Sequence, residues 1–314
     1  MKNSNQPKSL DKLIGIFYHI AMSKQYAVLI ADIKSSRTLK SIERFDAQEK
    51  LYKIVEVLND VFSKDLSLSI SFSAGDSIQG LFTNLSSSLR CFYLLRELFS
   101  PNSIRCGIGI GSINSKIYRE SNLYFEGGNT NFVDGEAYHF AKEALDVAKA
   151  KNVDVLVFSL DVWNDSLTNN SLLISSSFRK RITNSQKELL DICDLINPLL
   201  TLEQKYIFKK YFNKCVDFLS FDKKFFESYM DAKDFYRNLM DIFELNLEFN
   251  NSNNNYYQNV FEADITQRNI DAYLAKLFNV SSQNIWLLRK RGFLKEIRTQ
   301  ELLALLCLER NYHG

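Results

Sequence analysis

Histidine, proline and cysteine are scarce, with three, three and five copies among 314 residues. The cysteines, at positions 91, 106, 193, 215 and 307, form no C-x-x-C pair and are odd in number. That pattern excludes a disulfide framework, and no His/Cys set has zinc spacing. The thiols mostly sit in apolar runs and read as reduced core residues of a cytoplasmic protein. No Ser or Cys nucleophile comes with a recognisable base. No stretch approaches the ~18 uninterrupted apolar residues of a membrane span, so no membrane contact is expected. Between Leu10 and Ala21 the apolar residues fall at 10, 13, 14, 17, 20 and 21, which is helical spacing. His19 and Asp11 interrupt the run and no small-residue cleavage site follows, so it reads as an amphipathic helix, not a signal peptide. A net charge of +2 singles out no class of partner.

What is present is the composition of a globular protein, 46% hydrophobic and 24% charged, long enough for two cored domains. Tyr26 to Asp32 is a continuous apolar run ending on an acid, as a strand buried on both faces would be. A helix follows, with Ile42, Phe45, Leu51, Val55, Leu58 and Phe62 as its expected inner stripe. Leu68 to Phe72 alternates as a half-buried strand, Ala74 to Ser77 is a turn, and Ile78 to Phe82 a returning strand. A helix over 89–99, a glycine-rich strand over 103–111, a helix over 135–150 and a strand over 153–158 complete the series. The order is the split βαββαβ plan with one added unit. Beyond Asp165 the chain turns helical, broken at Asn250 to Asn255 by a low-complexity connector.

Two acids stand out. Asp32 ends the first strand and Asp76 sits in the turn joining the next two, neighbouring positions in such a sheet. Gly75 lets the backbone turn closely there. Converging carboxylates repel unless a cation lies between them, and Mg²⁺ or Mn²⁺ suits a site of one or two carboxylates completed by water and phosphate. The Ile33 carbonyl is a candidate third ligand. The competing reading makes Asp32 a loop cap and Asp76 an ordinary turn residue. Ser77 in the turn and Lys34, Arg37 and Lys40 after the first strand are candidates for phosphate, or are solvated loop residues. His139 either meets a ligand phosphate or caps a helix face. The run Gly107-Ile-Gly-Ile-Gly111 lies within a strand, so it is not a dinucleotide fingerprint; it signals close backbone packing or room for a ligand over the sheet.

The blocks Ile30 to Arg37, Ala74 to Leu81, Arg105 to Ile113 and Asp134 to Leu145 occur in the order seen in SatD-family proteins, which the chain resembles over about residues 25 to 160 and again near its C-terminus. The same blocks are similar to class III nucleotide cyclases and, more distantly, to diguanylate cyclases. The resemblance implies an α+β fold: a ferredoxin-like, nucleotide-cyclase-type palm, with Asp32 and Asp76 in the places of the two metal-binding aspartates. It also shows departures. Cyclases carry an Asn and, four residues on, an Arg on the helix after the fourth strand; here His139 and Glu143 stand there. Phe72 replaces a purine-selecting Lys, and Ser77 replaces the glutamate of diguanylate cyclases. Losing preorganised positive charge where phosphate charge develops raises the barrier, so ligand binding is better supported than the usual cyclase reaction. Richness in Asn, Lys, Phe and Ile fits an AT-rich bacterial genome.

Tyr273 to Gly292 resembles a helix-turn-helix, an element also carried by SatD-family proteins. Ala275 is small where helices cross, Asn279 suits a left-handed turn, Val280 and Ile285 fill the core between the helices, and Ser281 caps the second one. Ser282, Gln283 and Asn284 would face base edges, with Arg289, Lys290, Arg291, Lys295 and Arg298 near phosphates. The alternative is a helical-hairpin interaction module with a solvated basic face. Trp286 is large for an exposed position and is a candidate to pack on the preceding helices. The expected organisation is an N-terminal helix at 1–23, the palm at 24–165, an all-α region at 180–249, the connector at 250–258 and the helix-turn-helix region at 259–314. The function expected is a cytoplasmic, homodimeric regulator binding a nucleotide or phosphate ligand and DNA. The alternatives are a metal-dependent nucleotidyl cyclase or transferase, and a non-catalytic protein-interaction module.

Overall fold

The computed structural model describes residues 24–38, 40–73, 76–114, 134–218, 237–244 and 270–311. The segment 1–23, the connector at 250–258 and Gly75 lie outside them. The strands are β1 (Tyr26–Ile33), β2 (Leu66–Phe72), β3 (Ser77–Phe82), β4 (Ile104–Gly111) and β5 (Val155–Phe158). The helices are α1 (Ser41–Val61), α2 (Leu85–Phe99), α3 (Glu136–Lys151), α4 (Val162–Arg179), α5 (Asn184–Ile196), α6 (Leu202–Lys209), α7 (Phe212–Phe218), α8 (237–244), α9 (Ile270–Leu277), α10 (Ser282–Arg291) and α11 (Leu294–Asn311).

The strands form one sheet of order β2-β3-β1-β4-β5. Every pairing is antiparallel except β4 with β5. Side-chain alternation divides β1 between two faces. Ala27, Leu29, Ala31 and Ile33 join the main core with α1 and α2. Val28 and Ile30 meet Ala137, Tyr138, Ala141 and Leu145 of α3 on the other face. Burial on both sides explains the unbroken apolar run. At the β5 edge the Asn169 amide donates to the Val157 carbonyl (2.7 Å) and accepts from its N–H (2.8 Å). A side chain there satisfies the groups a sixth strand would have paired.

The glycine-rich strand has its cause in α3. A Cβ built on Gly109 would lie 2.0 Å from the Ala137 carbonyl oxygen, and one on Gly107 would lie 2.1 Å from that of Ala141. Ala137, Ala141, Ala144 and Ala148 are all fully buried. Small residues on both partners bring helix backbone against strand backbone. Of the two sequence readings, close packing is the one seen, and the helix fills the space over β4.

The inner stripe expected for α1 needs correction. Leu51, Val55, Leu58 and Phe62 are buried, but Ile42 and Phe45 are 73% and 65% exposed. Burial on this helix begins at Ala47, so its first turns lie ahead of the packed stretch.

The main core does not stop at residue 165. It runs from Ala27 of β1 to Leu308 of α11, with buried charges across the same boundary. Glu301 of α11, 1% exposed, pairs with Arg96 of α2 and Arg179 of α4, both at 2.8 Å. Arg179 also meets Asp194 at 2.8 Å, which pairs with the buried Arg298. Burial alone would push the Glu301 carboxyl up, but Arg179 and Arg96 overcome it and hold it well below the usual carboxylate range. Four of the cysteines are buried, Cys307 is half-buried, and none is in a disulfide.

Candidate functional site

The β1–β3 register sets Asp32 opposite Ser77, and the β1–β4 register sets it opposite Arg105. Asp76 directly precedes Ser77, so the two acids of the sequence lie at the same end of the sheet. Ser77 is tied there through its hydroxyl, which donates to the Ala31 carbonyl at 3.2 Å. By alternation Asp32 projects to the α3 face, where its Oδ2 meets Lys149 Nζ at 2.8 Å. Its Oδ1 is buried and has no hydrogen-bond partner among the described residues. Leaving a buried charged oxygen unmatched is costly, and a divalent ion is a partner such an atom fits. Among the described residues no group of three or more His, Cys, Asp or Glu is placed to hold a metal. Magnesium needs only one or two carboxylates when phosphates and water complete its shell, so the donor set fits that ion.

Other sequence candidates are placed differently. Lys34 is ion-paired with Asp154 at the head of β5, and both side chains are largely buried. It is thus engaged within the fold, where the sequence offered either a phosphate contact or a solvated loop residue. Arg105 is likewise occupied, by the Val153 carbonyl at 3.3 Å. Ser35 takes a positive φ of 57° and begins the tight turn before α1, where the Arg44 guanidinium bonds the Ser36 carbonyl at 3.0 Å. Arg37 lies in this turn, its side chain outside the described set. His139 is 71% exposed, 3.6 Å from Asp134, in the first turn of α3. That turn packs over Gly111, while Lys149 in the last turn reaches Asp32. At 1.5 Å per residue the two α3 positions are about 15 Å apart. The structure therefore does not bring His139 to the acidic pair. Lys149 was missed by the sequence reading, although a basic residue just after Ala148 on a helix crossing β1 was an available signal.

At the C-terminus α9 and α10 are joined by a tight turn in which Asn279 adopts φ 48°, and Ser281 caps α10 by accepting from the Asn284 N–H at 3.2 Å. Ala275 and Ile285 are buried between the helices. Ser282, Gln283, Asn284, Lys290, Arg291 and Lys295 are exposed. Arg289 and Arg298 correct the expected basic face. Arg289 turns to Asp271 with its side chain 11% exposed, and Arg298 is buried against Asp194. Trp286 does not pack inward; it is 47% exposed with Lys290 Nζ 4.8 Å from its ring centroid.

A family model described as the SatD family matches residues 26–230. Two similar solved structures are each described as a bacterial light-regulated adenylyl cyclase. One is 14% identical with a TM-score of 0.30, and the match covers 48% of this chain and 54% of that one. The other is 14% identical with a TM-score of 0.28, covering 42% of this chain and 74% of that one. The chain thus spans about half the length of the first cyclase. No curated protein matches. Among the described residues no helix is long and apolar enough to cross a membrane.

Proposed function

The chain belongs to the SatD family, and on that premise we propose that it is a ligand-responsive regulator. Its ferredoxin-like palm takes a nucleoside triphosphate or related phosphate ligand through Mg²⁺ or Mn²⁺. Its C-terminal helix-turn-helix contacts DNA. The observation that carries the ligand half is Asp32, whose Oδ1 is buried and unmatched among the described residues, at a sheet end shared with Asp76. Asp32, Asp76 and the Ile33 carbonyl are the groups that would hold the ion, which would supply positive charge to phosphate oxygens. Ser77 fixes the hairpin on which Asp76 is carried. Binding is favoured over turnover because His139 lies at the other end of α3, away from the charge that would develop near Asp32.

The DNA half is supported by a separate observation. The Ser281 cap and the left-handed Asn279 orient a short helix whose first turn is polar and exposed and whose last turn carries Lys290 and Arg291. A homodimer fits this reading, since such helices commonly address two half-sites.

Calorimetric titration with nucleoside triphosphate and Mg²⁺ tests the ligand half. Binding heat is expected from the wild type and none from Asp32→Ala, with the triphosphate recovered intact by chromatography after long incubation. Equal heats from both proteins reject the site; a cyclic or transferred product replaces the regulator with an enzyme.

A further inference from the structure

Resting on the metal reading of Asp32, we propose that Lys149 is a tethered counter-ion for that carboxylate. Its ammonium neutralises Asp32 before a divalent cation arrives, then competes with that cation, so Lys149 sets how tightly the site takes metal.

Three observations carry this. First, Lys149 contacts one carboxylate oxygen and leaves the other open: Nζ is 2.8 Å from Oδ2, while Oδ1 is buried and has no partner among the described residues. Asp32 is therefore half-satisfied, with an open ligand position beside a monovalent cation. Second, two neighbouring cations are engaged elsewhere. Lys34 holds Asp154, and Arg105, opposite Asp32 in the register, holds the Val153 carbonyl. Among the described residues Lys149 is the one cation paired with Asp32. Third, the lysine combines a fixed base with a free head. Its helix cannot approach further, because Gly107 and Gly109 seat α3 directly on β4. The side chain itself is 42% exposed, against 19% for Asp32, so the ammonium can swing into water while the carboxylate stays.

The balance follows from these positions. Both cations seek the same carboxylate, and the charge of a bound lysine repels an arriving divalent ion. A partly exposed lysine pair is weak, so it delays metal binding without preventing it. By the usual worth of such pairs, its presence lowers metal affinity about twofold to fivefold. The lysine thus favours occupancy when metal arrives with a polyanionic ligand, whose phosphates help displace the ammonium.

Mn²⁺ binding to the full chain, followed by paramagnetic resonance of the free ion, tests the assignment without any activity. Lys149→Met and Lys149→Gln should each tighten Mn²⁺ binding by about twofold to fivefold, and Lys149→Arg should restore the wild-type value. Unchanged or weaker binding in both neutral variants, with melting temperatures at the wild-type value, overturns the counter-ion role. Asp32→Ala separates the two layers. If it abolishes Mn²⁺ binding while the lysine variants change nothing, only the Lys149 inference falls. If it leaves Mn²⁺ binding intact, the metal reading falls with it.

Discussion

Glu301 of α11 receives Arg96 of α2 at 2.8 Å, joining the last helix of the chain to the helix between the third and fourth strands. Arg179 reaches the same Oε1 oxygen, also at 2.8 Å, so the C-terminal helices are locked to the sheet region by charges with little access to water. Removing one member of a buried set leaves the others uncompensated.

Glu301→Gln is therefore expected to lower unfolding stability at neutral pH by about 3 to 5 kcal/mol. Because the folded carboxyl titrates below its unfolded value of 4.5, its contribution is full above that value and is lost as pH falls through the folded pKa. Urea denaturation should show the wild-type advantage shrinking as the solution is acidified below 4.5. A constant advantage would contradict the assignment.

Gly109→Ala drives a methyl group to 2.0 Å from a helix carbonyl oxygen, where backbone must move. A loss of about 3 kcal/mol is expected in chemical denaturation. Gly80→Ala should cost less, because its nearest neighbour is the Ile70 Cγ1 methylene at 2.8 Å, part of a side chain that can shift.

Lys50 of α1 donates to the Ser100 and Phe218 carbonyls, and burial pushes its ammonium down to about 8 against the pull of Asp191. Between that value and the unfolded 10.5 the folded chain binds fewer protons, so stability rises with pH across the window. The stability of wild type relative to Lys50→Met should be flat below 8 and climb toward 10.5. A gap that does not change with pH would show that the lysine titrates normally.

The DNA reading distinguishes neighbouring basic residues. Lys290→Ala and Arg291→Ala should each weaken binding across DNA sequences and reduce the salt slope in gel-shift titrations by about one. Arg289→Ala should leave the slope unchanged and lower the melting temperature, because its partner is Asp271. A slope change from Arg289 and none from its neighbours would reverse the assignment of faces.

These residues mark the limits of sequence reading. The β1 run, the glycine strand and the Asn279–Ser281 turn were legible because each imposes a local requirement: two-sided burial, close backbone approach, a left-handed residue followed by a cap. Ile42 and Phe45 misled because periodicity reports which face of a helix is apolar, not how much of its length the sheet covers. Lys34 and Arg298 were read as open to phosphate because their partners are remote in the chain. Asp154 is 120 residues from Lys34, and Asp194 is 104 from Arg298. Lys149 escaped for the same reason. The end of the sheet shared by Asp32 and Asp76 followed from strand order alone, whereas the cation already resting on Asp32 did not.

The central claim is that Asp32 and Asp76 serve one cation, and a double-mutant cycle on Mn²⁺ affinity tests it directly. Asp32→Asn and Asp76→Asn should each remove most of the binding, and the double variant should be no weaker than the worse single one, as for residues sharing a ligand. Additive losses, or a single variant that binds Mn²⁺ like the wild type, would contradict a shared site.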